Sequence, residues 1–153
     1  MKEIPLFLNP VLWVALSAWA LAQIIKVPVH YFRSRSWDWA LLLRAGGMPS
    51  SHSAFVSATA HGVGLHHGFD TPLFAVAVTL AVIVIYDATG IRRQAGKHAE
   101  LINTIVEDLS SGHPHWRETQ EKLKEVLGHT PFEALAGTLL GIGLTQLTWW
   151  LGV

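Results

Sequence analysis

The sequence predicts an all-α, integral-membrane helical bundle of about four transmembrane helices plus cytoplasmic helices, in one domain over residues 1–153. Half of the residues are hydrophobic and only 14% are charged, with a mean hydropathy of +0.34, which is too apolar for an ordinary soluble domain. Apolar runs near the roughly 20 residues that cross a bilayer recur four times. The basic residues between those runs fall on alternate connections, as they do in membrane proteins.

Residues 6–25 make the first run, nearly free of charge. The start, Met-Lys-Glu-Ile-Pro, has no basic leader and no small-x-small cleavage site follows, so this run is expected to be retained. The second run, residues 49–65, holds Ser50, Ser51, His52, Ser53, Ser57, Thr59 and His61. It is too polar to face lipid all round and should be an inner helix. Residues 72–86 form a short third run rich in Val and Ala, with Asp87 at its inner end. Residues 131–151 form the fourth, where the Gly137-x-x-x-Gly141 spacing allows close helix approach. Between the third and fourth, residues 96–109 read as an amphipathic helix with Ala99, Ile102, Val106 and Leu109 at helical spacing. Ser110-Ser-Gly-His-Pro114 reads as a turn, and residues 116–127, with the Glu118–Lys122 pairing, as a solvated helix that Gly128 ends. Trp37, Trp39, Trp149 and Trp150 suit an interfacial aromatic belt, whereas Trp13 and Trp19 fit either that belt or the core.

Residues 26–48 carry Lys26, Arg33, Arg35 and Arg44, and residues 92–130 carry Arg92, Arg93, Lys97, Arg117, Lys122 and Lys124. The loop over 61–71 carries neither Lys nor Arg. Ten of the 11 basic residues therefore share one face, Lys2 excepted, which puts that face in the cytoplasm and both termini outside. Zero net charge and the lack of a basic stripe with interleaved aromatics argue against nucleic acid as a partner. The absence of cysteine excludes disulfides, thiolate metal sites and cysteine nucleophiles.

Three basic or histidine-bearing segments recur in order: Lys26-Val-Pro-Val-His-Tyr-Phe-Arg33, Gly47-Met-Pro-Ser-Ser-His52 and Arg92-Arg-Gln-Ala-Gly-Lys-His98. A phosphoryl group needs fixed positive charge, N–H donors at a helix start, and imidazoles that carry a proton or the phosphoryl itself. Pro49-Ser50-Ser51-His52 after Gly46-Gly47 looks like a loop entering a capped helix. The topology brings Lys26, Arg33, His52, Arg92 and His98 to one membrane face. Asp87 is expected to pair with Arg92 or Arg93, and Glu133 to cap its helix or to orient a basic site residue. His61, His66, His67, His113 and His115 read as polar loop residues. Metal-dependent hydrolysis through Asp87, Glu133 and His129 is a further alternative.

These segments resemble the type 2 phosphatidic acid phosphatase superfamily of integral-membrane lipid phosphatases, related to vanadium haloperoxidases. Its first motif is Lys, six residues, Arg-Pro; its second is Pro-Ser-Gly-His; its third is Ser-Arg, five residues, His, three residues, Asp. Here six residues separate Lys26 from Arg33, Ser51 replaces Gly in Pro49-Ser50-Ser51-His52, and five residues separate Arg92 from His98. Ser34 replaces the Pro, Ile91 the Ser, and Ile102 the Asp, with Asn103 one residue on. Tyr86-Asp-Ala-Thr-Gly-Ile-Arg-Arg93 and Gly128-His-Thr-Pro-Phe-Glu133 resemble a small divergent bacterial and plastid branch.

The resemblance implies a phosphatase that uses a phosphohistidine and needs no metal or cofactor. His98 would be the nucleophile and His52 the acid. Lys26, Arg33, Ser50, Ser51, Arg92 and Arg93 would hold the phosphate, supported by Asp87, Asn103 and Glu133. The implied substrate is a phospholipid or an isoprenyl (di)phosphate, met at the cytoplasmic face of a bacterial plasma membrane or in a plastid membrane. The chain is short beside the usual six-span architecture, so self-association to a homo-oligomer is expected. The alternative is a non-catalytic membrane protein that binds anionic lipid or phosphate.

Overall fold

The computed structural model describes residues 9–43, 46–110, 123 and 128–152. Arg44, Arg117, Lys122, Lys124, most of the expected turn after Ser110 and the expected helix over 116–127, Leu123 apart, lie outside the described residues. Five α-helices are described: α1 (Pro10–Ser34), α2 (Ser51–His67), α3 (Pro72–Thr89), α4 (Ile91–Ser110) and α5 (Pro131–Trp150), with a 3₁₀ turn at Trp39–Leu42. No strand occurs among the described residues.

Local chemistry sets the ends. Asn9, Ser50, Thr71 and Thr130 each accept a backbone N–H as N-caps of α1, α2, α3 and α5, and Pro opens α1, α3 and α5. Helix α1 runs past the expected end of the first apolar stretch, through Pro28, to Arg35 in a left-handed conformation. The first basic segment is therefore helical, and Lys26 keeps the register of Ala18 and Ala22. Gly90 breaks the helix after α3, and its carbonyl accepts from Gln94 N, so α4 starts at Ile91 rather than near residue 96.

α2 is the centre of the bundle and packs against α1, α3 and α5. Its contact with α1 is an alanine seam, Ala15, Ala18 and Ala22 against Ala54 and Ala58. Toward α5 the spacing is set by glycine: a Cβ on Gly137 would strike the Ser50 carbonyl oxygen, and one on Gly141 that of Ala54. The Thr145 hydroxyl, one turn on, donates to Gly141 O at 2.8 Å. Ser50 N donates to Glu133 O (2.9 Å) and His129 N to Ala88 O (2.8 Å), so the start of α2, the end of α3 and the start of α5 share one end of the bundle. Pro10, Val11, Leu65, His66 and Trp149 meet around a small cavity at the other end.

Two segments are long and apolar enough to cross a membrane, α1 and the run Pro72–Leu109, against the four expected. Where α2 and α5 touch they carry Ser, Thr, Gly and Ala in place of bulky apolar side chains. At 17 residues, α2 is about 25 Å long. Trp13 and Trp19 are exposed on the outer side of α1, which removes the core alternative for both. Exposed Val76, Leu80, Val82 and Ile83 make the outer surface of α3 apolar in the same way.

Gly141→Leu is expected to destabilise the protein by about 1–3 kcal/mol through overpacking against α2. Gly143→Leu, where an added Cβ meets nothing within 4 Å, should change little. Thermal unfolding in detergent measures both.

Candidate active site

The site begins with a buried cation. Lys26 ends the alanine seam of α1 at 1% exposure, and Gly47 lies over its aliphatic stem. Its ammonium has three donors, and among the described residues it makes one hydrogen bond, to Ser51 Oγ at 3.4 Å. Glu133 is the carboxylate within electrostatic reach. A buried charge so lightly partnered is costly unless an anion completes its shell.

The first turn of α2 lies beside it. Gly46 and Gly47 take positive φ, and the chain passes through a cis Met48–Pro49 peptide into Ser50. The fully buried Ser50 hydroxyl accepts from Ser53 N (3.3 Å) and Ser53 Oγ (3.0 Å), which commits it to the cap. Among the described residues the Ser51 and His52 amides have no acceptor, as at any free helix start, and such amides attract an anion. The His52 side chain faces the gap between α1 and α3.

The approach to α5 supplies a second imidazole. Gly128 takes φ +86 with no room for a side chain, since a Cβ would strike Arg93 N and Ala88 O. His129 follows at 3% exposure. Its Nδ1 lies 3.3 Å from Glu133 Oε2, which also accepts from Thr130 N at 3.0 Å within a capping box. A carboxylate oxygen only accepts, so Nδ1 carries the proton of this hydrogen bond. The His52 and His129 ring centroids are 6.2 Å apart. Both rings line a cavity of about 50 Å³ with Asp87, Ala88, Arg92 and Gly128. Arg92 donates through Nε to Asp87 Oδ2, which fixes the guanidinium at the cavity wall. Arg92, Lys26, His129 and Asp87 all act electrostatically on His52.

Residues 7–144 match the family described as divergent PAP2. The chain belongs to the divergent PAP2 family. It is also 49% identical over 139 residues to YuiD, an uncharacterized membrane protein of Bacillus subtilis (strain 168), over 86% of this chain and 88% of that protein. No solved structure matches the chain. It is thus a PAP2-like membrane protein, and its expected motif residues sort as follows.

Lys26, Ser50, Ser51, His52, Asp87, Arg92 and Glu133 gather at one end of this PAP2-like bundle. Arg33, exposed in the last turn of α1, lines a separate cavity of about 290 Å³ with Lys26, His30 and Met48, and acts on Glu133. Arg93 is half-buried beneath Gly128. Asn103 sits elsewhere, clasping the Leu123 backbone through Nδ2 to O (2.9 Å) and N to Oδ1 (3.0 Å). The structure does not bring His98 to the cluster: it is exposed on α4, and among the described residues no contact joins it to Lys26, His52 or Arg92. His129 stands beside His52 instead. The signal for it was in the sequence, because His129 and Glu133 repeat the His, three residues, acid spacing of the third PAP2 motif, with Glu for Asp. Arg92 lies in the first turn of α4, and His129 lies at the entry of α5. Among the described residues no three His, Asp or Glu side chains gather as a metal site. Asp87 and Glu133, in the metal-dependent alternative, are engaged by Arg92 and His129.

Lys26→Met keeps the volume and removes the buried charge, so the melting temperature should hold or rise. Inorganic phosphate should at the same time lose its stabilising effect on the melt, which the same thermal scan records with and without phosphate.

Proposed function

We propose that this protein is an integral-membrane phosphatase that hydrolyses a lipid phosphate or isoprenyl (di)phosphate at the cytoplasmic membrane face through a phosphohistidine. The observation that carries the reading is the His129 imidazole, held by Glu133 and set beside His52 and Arg92 around one cavity. Nε2 of His129 attacks phosphorus and forms a P–N bond as the P–O bond to the lipid breaks. His52 gives its proton to the departing oxygen, then takes one from the water that breaks the P–N bond and releases phosphate. Glu133 holds Nδ1–H throughout and balances the imidazolium. Lys26, Arg92 and the first amides of α2 face the charge on the non-bridging oxygens, and this electrostatic support is the largest contribution such a site offers. Lys26, Arg33 and Arg35 lie in the second half of α1 or at its cap, and Arg92, Arg93 and Lys97 in the first half of α4, which starts at this end of the bundle; this bias supports the cytoplasmic orientation.

Binding of phosphate or anionic lipid without turnover is the second reading. The small free volume between the imidazoles, about 50 Å³, favours it. Phosphate release from a panel of lipid phosphates separates the two. His52→Ala and His129→Ala should each lose about a hundredfold or more, the scale of one lost transition-state donor or more. His98→Ala should stay within a few-fold of wild type. An acid-labile, alkali-stable phosphoenzyme should form in wild type and vanish in His129→Ala. Loss in His98→Ala with His129→Ala active would overturn the assignment, and saturable binding with no release from any ester would favour the second reading.

A further inference from the structure

One amphipathic surface of the chain is not explained by the packing of the bundle. α4 is the most strongly amphipathic of the described helices and the least hydrophobic on average, whereas α3 before it is the most hydrophobic. At about 100° per residue its side chains sort into three flanks. Gly96 and Ala99 are buried and Asn103 and Val106 half-buried, so one flank faces protein, and Asn103 on it holds the Leu123 backbone. Glu100, Thr104 and Glu107 make an exposed polar flank. Ile91, Leu101, Ile102, Ile105 and Leu109 make the third, and all five are exposed. His98 falls among them, one turn before Ile102. Among the described elements α4 packs against α3 alone, so no other helix of the bundle covers this strip.

We infer that α4 lies in the plane of the membrane surface, with this apolar strip set into the lipid beneath the headgroups. Continuity with the lipid-facing helix before it selects the occupant. At 18 residues α3 is about 27 Å long, which fills a hydrocarbon core of roughly 30 Å, so α4 begins at the bilayer surface. Gly90 interrupts the helical path there, with φ −102 and ψ −85, and lets α4 take a direction of its own. The strip starts at Ile91, directly after that break, and so extends the apolar outer surface that Val76, Leu80, Val82 and Ile83 give α3. An apolar strip on a helix of low net hydrophobicity is the pattern of helices that lie about 5–10 Å deep along an interface. The placement also accounts for His98, whose ring has an apolar body and a polar tip and suits the headgroup level. The inference does not rest on the phosphatase reading. It bears on the site through Arg92, which lies in the first turn of α4: attachment of the helix sets Arg92, and the cavity it lines, at the level of the lipid headgroups.

The cysteine-free chain allows a nitroxide to be placed on one introduced cysteine at a time. The full chain is reconstituted in vesicles of phosphatidylcholine and phosphatidylglycerol, and each label's collisions with dissolved oxygen and with a water-soluble nickel chelate are compared. Labels on Ile102→Cys, Ile105→Cys and Leu109→Cys should favour oxygen by a few-fold or more, and those on Glu100→Cys, Thr104→Cys and Glu107→Cys should favour nickel. Leu139→Cys, on the outer side of α5, is the reference for a label in hydrocarbon. Leu101→Asp combined with Ile105→Asp should shift the label on Leu109→Cys toward nickel by a few-fold or more and leave that on Leu139→Cys unchanged, so that release of α4 is told apart from loss of insertion. Nickel favoured at all six positions of α4 would place the helix in water and overturn the inference. Low collision with both reagents at 102, 105 and 109 would mean that protein, a second copy of the chain included, covers the strip, and would overturn it equally. A Leu109→Cys label that the two aspartates do not move would overturn it as well. Where the aspartate pair prevents insertion, the scan of single cysteines decides alone.

Discussion

Because Gly137 lies against the Ser50 carbonyl and Gly141 against that of Ala54, α5 approaches α2 closely enough for Ser50 N to reach Glu133 O. The meeting of the first turns of α2 and α5 follows from that approach. It seats the capping box of α5 beside the first turn of α2, and so brings the Glu133 carboxylate, and with it His129, to the helix start that presents His52. A bulky residue at either glycine would press on the α2 backbone at Ser50 or Ala54.

The second constraint is electrostatic. In a protein with so few charges, a lysine at 1% exposure with one hydrogen bond among the described residues is an expensive residue to keep. The alanine seam explains how it is buried, since Ala15, Ala18 and Ala22 draw α1 onto α2 and Lys26 continues the same register. Arg92 is treated differently: Asp87 holds one edge of its guanidinium and leaves the planar fork oriented at the cavity wall. One cation is fixed by burial and the other by a partner, and together they flank the two histidines.

The all-α class, the inner position of α2, a close helix approach at Gly137 and Gly141, and the pairing of Asp87 with Arg92 or Arg93 were legible in the sequence, because each leaves a local mark: composition, a polar stripe inside an apolar run, a glycine spacing, an ion-pair distance along a turn. Both of the roles considered for Glu133 are realised at once, since the oxygen that closes the capping box also meets His129. The third motif was harder to read. The Arg92–His98 spacing is correct in sequence, yet a continuous helix from Ile91 carries His98 round to an exposed face. His129 is distant in sequence from Arg92 and reaches the cavity only because its N–H is anchored on Ala88 at the end of α3. Two histidines, His98 and His129, each match part of the motif by spacing, and tertiary placement decides between them. The same holds for Asn103, whose amide clasps the Leu123 backbone far from the phosphate-binding residues.

The convergence of His52 and His129 is the central claim, and the cysteine-free chain allows a direct measurement of it. His52→Cys paired with His129→Cys, treated with a short bifunctional thiol reagent in native membranes, should give an intramolecular crosslink in high yield, whereas His52→Cys paired with His98→Cys should give little. Efficient crosslinking of the 52–98 pair with none between 52 and 129 would contradict the account.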